Sequence, residues 1–181
     1  FECVISHMNE IGILLAPLLV EYGFQVRTLD TRRSTISDVR GQFIRISDVG
    51  ISFNKLLAAQ KREVRNSSSD IFTTPAKKNP KTLAILTAYP EPELVASLMS
   101  EGIEFIPAIA TPFGALIGPL VKPGISPCFY CIELARSDRH RNWQKIAATL
   151  FMSRYEKVAM PSALLAVAVF TEFLGGFQES E

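Results

Sequence analysis

The first thirty residues, FECVISHMNEIGILLAPLLVEYGFQVRTLD (1–30), decide the fold class. They open on a short apolar run, FECVIS (1–6), which is typical of a strand buried on both faces. Apolar residues then recur at helical spacing from Ile11 to Tyr22, and Gly23 supplies a natural helix end. A second apolar run, FQVRTLD (24–30), predicts another strand. Strand, helix and strand in this order indicate an α/β fold of the nucleotide-binding type.

Asp30 ends the second predicted strand, the position from which a carboxylate takes ribose hydroxyls in nucleotide-binding units. Alternatively, Asp30 is an exposed carboxylate at the start of a loop, beside Arg32 and Arg33. The sequence leaves both interpretations open.

The turn before the first helix, SHMNEIG (6–12), lacks the glycines of a phosphate-binding loop. If Gly12 is the third glycine of G-x-G-x-x-G, the first two positions fall on His7 and Asn9. Side chains there obstruct the approach of backbone N–H groups to a phosphate. His7 and Asn9 therefore form either a different polar site at the sheet edge or a hydrogen-bonded turn.

The rest of the chain continues the alternation. TLAILTAY (82–89) predicts a strand, EPELVASLMSEG (91–102) a helix and IEFIPAIA (103–110) a strand, joined as a right-handed parallel crossover. The sheet is expected to continue through GALIGPLV (114–121). Two helices follow, NWQKIAATLFMSRYE (142–156) and PSALLAVAVFTEFLGG (161–176), and Gly175 and Gly176 are expected to end the second.

We therefore predict a single domain over residues 1–181, an α/β, Rossmann-like, mostly parallel sheet flanked by helices with a helical C-terminal portion. Its predicted parts are a degenerate nucleotide half-unit (1–65), a surface loop (66–81), the second half of the sheet (82–126), and a Cys-x-x-Cys turn with the C-terminal helices (127–181). Because the chain starts inside an apparent strand without a methionine, we expect a further segment upstream.

Composition excludes several classes of partner. Lysine plus arginine number 19 and aspartate plus glutamate 18, so the net charge of +1 argues against a nucleic-acid binder. The apolar run Ala163–Phe170 is far shorter than the roughly 20 residues of a membrane span. Three cysteines and no apolar leader favour a reducing, cytoplasmic location.

Cys128 and Cys131 are the residues with the most readable chemistry, because their spacing lets two sulfurs face one point. Three interpretations are open. The two cysteines are metal-free and packed, or the remnant of a lost site; they are half of a zinc site completed by His140 or by another chain; or they are a redox dithiol. Other polar residues are expected at the surface, and no Ser-His-Asp set has readable spacing: Ser37, Asp38, Arg40, Asp138, Arg139 and His140.

Two segments resemble the ubiquitin-activating-enzyme-like, ThiF-type superfamily, in its divergent branch of bacteriocin and thiazole/oxazole-modified peptide biosynthesis. LDTRRSTISDVRGQF (29–43) is similar to that superfamily's acidic run followed by Ser-Asn-Leu-x-Arg-Gln. IGPLVKPGISPCFYCIELARSDRHRNW (117–143) resembles the branch's Gly-Pro-Leu-Val, Pro-Gly, Pro-Cys-x-x-Cys, Leu-x-Arg-x-Asp-Arg and Trp pattern. The second segment is the specific one.

By this resemblance, Asp30, Gly12 and Gln42 match the family's nucleotide site, as its remnant. Its loop glycines fall on His7 and Asn9. Other positions also depart from the family: its arginine falls on Gly41, its lysine on Phe53, and its metal-binding aspartate on Ala88 and Tyr89. Losing the phosphate-binding cation and the magnesium ligand together removes the charge stabilisation that adenylyl transfer requires. We therefore expect no ATP and no independent catalysis, with zinc at Cys128 and Cys131 as the remaining cofactor alternative.

The resemblance implies a scaffold protein that supports a YcaO-type cyclodehydratase and binds its precursor peptide, with a homodimer as a further arrangement. The alternative is an ATP-dependent adenylating enzyme of the ubiquitin-like modifier activating type. A dinucleotide-binding oxidoreductase is a third hypothesis, which the opening half-unit and Asp30 suggest.

Overall fold

The computed structural model describes residues 2–39, 44–67, 81–111, 114–152 and 160–178, with backbone alone at 64–67 and 173–178. Its strands within these residues are β1 (Glu2–Ile5), β2 (Gln25–Thr28), β3 (Thr82–Leu86), β4 (Glu104–Thr111) and β5 (Gly114–Ile117). They form one sheet in the order β2-β1-β3-β4-β5. The first four strands are parallel, and β5 runs antiparallel to β4. The predicted α/β fold with a mostly parallel sheet is confirmed.

The helices of the described residues are α1 (Glu10–Glu21), α2 (Phe53–Ser67), α3 (Pro92–Ser100), α4 (Phe129–Arg139), α5 (Trp143–Met152) and α6 (Met160–Gln178). The helical C-terminal portion is therefore present as predicted. Within this part of the chain, none of the helices is both long and apolar enough to cross a bilayer.

Helices cover both faces of the sheet. On β3, Leu83 and Ile85 point into a core shared with α1, α2 and α6. The alternate residues Ala84 and Leu86 point into a second core shared with α3, α4 and α5. Burial on both faces explains why the central parallel strands β1, β3 and β4 are nearly continuous apolar runs.

Two helix boundaries differ from the prediction. Helix α2 continues to Ser67, two residues into the segment 66–81 that was predicted as a loop, and positions 68–80 lie outside the described residues. Helix α6 runs past Gly175 and Gly176 to Gln178. A glycine costs a helix only about 1 kcal/mol relative to alanine, so neither glycine is an obligatory end.

Helix α4 is the largest departure, because the sequence interpretation had only a Cys-x-x-Cys turn there. Cys128 is the N-cap of this helix, and Cys131 lies inside its first turn. Of the residues in α4, only Phe129 is buried. A helix that is exposed on most of its surface carries little apolar periodicity, which is the signal on which the prediction depended.

Candidate functional site

The crevice at the carboxyl ends of β1 and β3 is the place where this topology binds ligands. The chain passes from β1 to β2 in one direction along the sheet and from β3 to β4 in the other. Open α/β sheets bind ligands at such a switch point, outside the strand ends. The segments that follow β1, β2 and β3 therefore form the candidate site.

The loop between β1 and α1 is fastened to Thr87, the first residue after β3. The His7 N–H donates to the Thr87 hydroxyl (3.2 Å), which in turn donates to the His7 carbonyl (2.7 Å). The Asn9 amide donates to the Thr87 carbonyl (2.7 Å) and accepts the Gly12 N–H (3.2 Å) as the N-cap of α1. Of the two interpretations of His7 and Asn9, these bonds describe the hydrogen-bonded turn.

Ser6 joins the same network. Its hydroxyl accepts the Thr87 N–H at 3.0 Å and lies 3.1 Å from Nδ1 of His7. Ser6 is 4% exposed. This adjacent serine and histidine therefore stabilise the turn rather than present a nucleophile to solvent.

The Asp30 carboxylate, which the sequence leaves open as a ribose ligand or as an exposed loop carboxylate, is held by the protein itself. Its Oδ2 accepts the Met8 N–H and the Arg32 Nε–H, both at 3.0 Å, and its Oδ1 accepts the Arg32 N–H at 3.0 Å. A ribose hydroxyl would have to compete with these donors for either oxygen.

Arg32 connects three parts of the crevice. Besides Asp30, its guanidinium donates to Oδ2 of Asp38 (2.7 Å) and to the carbonyl of Met8. The same group lies 4.7 Å from the centre of the Phe53 ring. The arginine thereby fills the space between the β1–α1 loop and the start of α2.

Asp38 was expected at the surface but is 7% exposed. Burial acts to raise the pKa of this carboxyl, yet hydrogen bonds from Arg32 and Thr35 outweigh burial and hold the pKa below its usual 3.8. Asp38 is therefore an ionised carboxylate that is paired with Arg32. This burial could not be predicted from the sequence, because the residues around Asp38 are polar.

Gly12 is required for packing in the structure, at the position matched to the third family glycine. A methyl group on its Cα would overlap the carbonyl oxygen of His7. The glycine lets α1 approach the loop before it, which is the packing role of that position in nucleotide-binding turns. Gln42, the other matched residue, lies outside the described residues.

Two positions that the sequence resemblance matches to charged family residues carry other side chains here. Phe53, at the position of the family's lysine, is 0% exposed and belongs to the core. Tyr89, near the position of the metal-binding aspartate, donates its hydroxyl to Glu133. Burial and the Glu133 hydrogen bond both raise the pKa of Tyr89 above its usual 10.0.

Glu133 is a residue that the sequence interpretation missed. Besides Tyr89, its carboxylate accepts the indole N–H of Trp143 (2.7 Å) and a guanidinium N–H of Arg136 (2.9 Å). Arg136 also lies 5.0 Å from the Trp143 ring centre. Arg136 and Trp143 belong to the Arg-x-Asp-Arg and Trp pattern of the sequence, but that Glu133 joins them is apparent only in the folded chain.

The Cys128 and Cys131 sulfurs lie 3.0 Å apart, and the Cys131 N–H donates to Sγ of Cys128 (3.3 Å). Hydrogen bonds from the Cys131 thiol and N–H lower the pKa of Cys128, and the shared proton raises that of Cys131. His140 follows α4 at its opposite end, about 18 Å along the helix axis. Among the described residues, no three His, Cys, Asp or Glu side chains group as metal ligands.

A shallow apolar cleft of about 230 Å³ lies beside the cysteine pair. It is lined by Tyr89, Pro90, Pro92, Val95, Phe129, Tyr130 and Phe151. A second recess of about 250 Å³ lies on the β2 side of the molecule, lined by Arg33, Gly50, Ile51, Ser52 and Lys55.

The structure resembles solved structures of MccB from Escherichia coli. MccB together with MccA superposes with a TM-score of 0.62 at 20% identity, over 92% of this chain and 52% of that chain. MccB with ATP superposes with a TM-score of 0.59 at 19% identity, over 97% and 56%. The fold is that of MccB. The chain spans a little over half the length of these MccB chains.

A structure of PaaA shows the same fold, with a TM-score of 0.64 at 18% identity over 94% of this chain and 61% of that chain. Another MccB structure, described as the microcin C7 biosynthetic enzyme in complex with N-formylated MccA, superposes with a TM-score of 0.59 at 18% identity, over 97% and 57%. No protein-family model and no curated protein sequence matches the chain.

Proposed function

We propose that this chain is a ThiF-type protein of peptide bacteriocin biosynthesis that binds a precursor peptide and supports a partner enzyme without turning over ATP itself. Two observations support the pathway. The Gly118–Trp143 pattern resembles the branch associated with YcaO-type cyclodehydratases, and the fold is that of a microcin C7 biosynthetic enzyme solved with a peptide. The partner in this proposal is a YcaO-type cyclodehydratase.

The observation that carries the non-catalytic part of the proposal is the Arg32 bridge. Arg32 is bonded to Asp30, Asp38 and the Met8 carbonyl across the crevice where a nucleotide would lie. A nucleotide would have to displace these bonds from a charged group. Because the Arg32 side chain is 41% exposed, solvent screens them, and each contributes about 1 kcal/mol.

The positions from which the family's charged residues would bind the phosphates or their metal ion are apolar here, or already hydrogen-bonded within the protein. Phe53 offers no charge to a phosphate, and the Tyr89 hydroxyl is bonded to Glu133. Adenylyl transfer depends on cations that stabilise the charge developing on the phosphates. The site therefore favours binding and support over catalysis.

The test combines nucleotide turnover with partner activity. We expect the purified chain to show no saturable heat on titration with Mg·ATP, and no exchange of pyrophosphate into ATP with or without a precursor peptide. We expect the peptide to bind. Added to a YcaO-type enzyme and the peptide, the chain should raise the rate of azoline formation. An enzyme whose rate is unchanged by the chain would contradict the supporting role.

An ATP-dependent adenylating enzyme is the second candidate, because the same fold has been solved with ATP bound in MccB. The exchange assay separates the two proposals. Peptide-stimulated exchange by this chain alone, abolished by Asp30→Ala, would establish the second candidate and remove the first.

A further inference from the structure

The cysteine pair at the start of α4 is not used by the proposed function. Cys128 is the N-cap residue and Cys131 lies one turn further on, so both sulfurs lie on the same side of the helix end. Their separation of 3.0 Å brings them into direct contact. Residues three apart in a helix have Cα atoms about 5 Å apart, inside the range of roughly 4.4–6.8 Å that a disulfide spans.

The geometry suits a dithiol better than a shared metal. Two thiolates on one tetrahedral zinc, each about 2.3 Å from the metal, lie roughly 3.8 Å from one another. The observed sulfurs are closer than that. The part of the chain that the structure describes also brings no third ligand to them.

Solvent reaches this pair and does not reach the remaining cysteine. Cys131 is exposed and Cys128 is partly exposed, whereas Cys3 is 0% exposed in the centre of β1. Thiol exchange needs access to the attacking sulfur. Cys128 and Cys131 are therefore accessible to thiol exchange, and the buried Cys3 is an internal control.

We infer that Cys128 and Cys131 form a reversible dithiol/disulfide pair that exchanges with low-molecular-weight disulfides such as glutathione disulfide. The Cys128 thiolate attacks one sulfur of glutathione disulfide, forms a mixed disulfide and releases one glutathione thiolate. The Cys131 thiolate then attacks the Cys128 sulfur, closes the intramolecular disulfide and releases the second glutathione. The two protons of the cysteine thiols pass to the two glutathione thiolates, and the protein loses two electrons to the added disulfide.

The test counts thiols before and after oxidation. The protein has three cysteines, so titration with a chromogenic disulfide in denaturant should find three thiols when it is reduced. After incubation with glutathione disulfide and removal of the excess, we expect one thiol, which peptide mapping should assign to Cys3. Dithiothreitol should restore all three.

Single variants separate the two steps. Cys131→Ser should stop at the mixed disulfide and retain one glutathione on Cys128 in the intact mass. Cys128→Ser should form no intramolecular disulfide. Serine is a favourable N-cap residue, so this variant should keep α4 and its circular dichroism.

Several outcomes would overturn the inference. These are three thiols remaining after oxidation, glutathione retained on both cysteines of the wild-type chain, or a disulfide that links two chains on a non-reducing gel. Stoichiometric zinc in the purified protein, lost in Cys131→Ser, would also overturn it and assign the pair to a metal. Failure of the peptide or partner assays above would leave these thiol counts unchanged, so the two proposals fail separately.

Discussion

Gly12 lies where α1 meets the loop that precedes it, and its missing side chain decides how closely they pack. In the middle of a helix, alanine is ordinarily better than glycine by roughly 0.5–1 kcal/mol. Here the added methyl group would overlap the His7 carbonyl, which Thr87 and the loop hold in place. The steric term should outweigh the gain in helix propensity.

We therefore predict that Gly12→Ala lowers the free energy of unfolding by about 2 kcal/mol or more, as overpacking against fixed backbone does. Urea denaturation followed by circular dichroism measures this directly. Gly114→Ala is the matched control, because no atom lies within 4 Å of a methyl group there. It should change the free energy of unfolding by no more than about 0.5 kcal/mol. Equal effects at both glycines would show that the contact at Gly12 is not tight.

At the residue scale, the sequence indicates which residues lie around the crevice but not which contacts they make. The missing loop glycines are apparent in SHMNEIG (6–12), and the acidic residue Asp30 follows β2 by two positions. The Arg32 bridge could not, because it depends on where Asp38 and the Met8 carbonyl lie in space. Which partner a charged side chain takes is a property of the folded chain.

At the scale of the secondary-structure elements, some were predictable from the sequence and others were not. The central strands β1, β3 and β4 were predictable because burial on both faces makes each one a nearly continuous apolar run. Helix α4 was missed because most of its surface faces solvent. Phe129 anchors it in the second core, and polar contacts add to this: Glu133 on α4 joins Tyr89, next to the end of β3, to Trp143 at the start of α5.

Tyr89→Phe tests this connection. At neutral pH we expect a loss of about 1 kcal/mol in the free energy of unfolding, the usual net contribution of one hydrogen bond. The pKa of Tyr89 is raised in the folded protein above its usual 10.0. Its contribution is therefore complete below about pH 10, and it is lost as the pH rises from there through the folded value. The wild-type protein should lose stability above pH 10 more steeply than the variant.

Chemical denaturation at several alkaline pH values measures both slopes. Tyr22→Phe is the control at neutral pH, because Tyr22 is 63% exposed and its hydroxyl should contribute nothing measurable there. Parallel alkaline slopes for the wild type and Tyr89→Phe would contradict the assignment of the buried hydroxyl to Glu133.

At the scale of the whole molecule, α6 brings the C-terminal part of the described chain into contact with its N-terminal part. It packs on α1 and on the β4–β5 side of the sheet. Its buried apolar residues between 160 and 172, which are Ala163, Ala166, Val167 and Phe170, belong to the core that contains β1. Helix α5 and Trp143 belong to the opposite face, where α5 packs against the second core. If both cores unfold together, a substitution that destabilises α6 must also lower the midpoint of unfolding reported by Trp143.

Val167→Ala and Val169→Ala test this with the same chemical change on one helix. Val167 is 5% exposed and Val169 is 47% exposed. Removing two buried methylene equivalents, at about 0.8 kcal/mol each plus a cavity term, should cost Val167→Ala about 1.5–2.5 kcal/mol. Val169→Ala should be neutral or slightly stabilising, since alanine has the higher helix propensity. The fluorescence of Trp143, the only tryptophan, and circular dichroism should report the same shifted midpoint for Val167→Ala. A shift in circular dichroism alone would mean that α6 unfolds separately from the sheet and its opposite face.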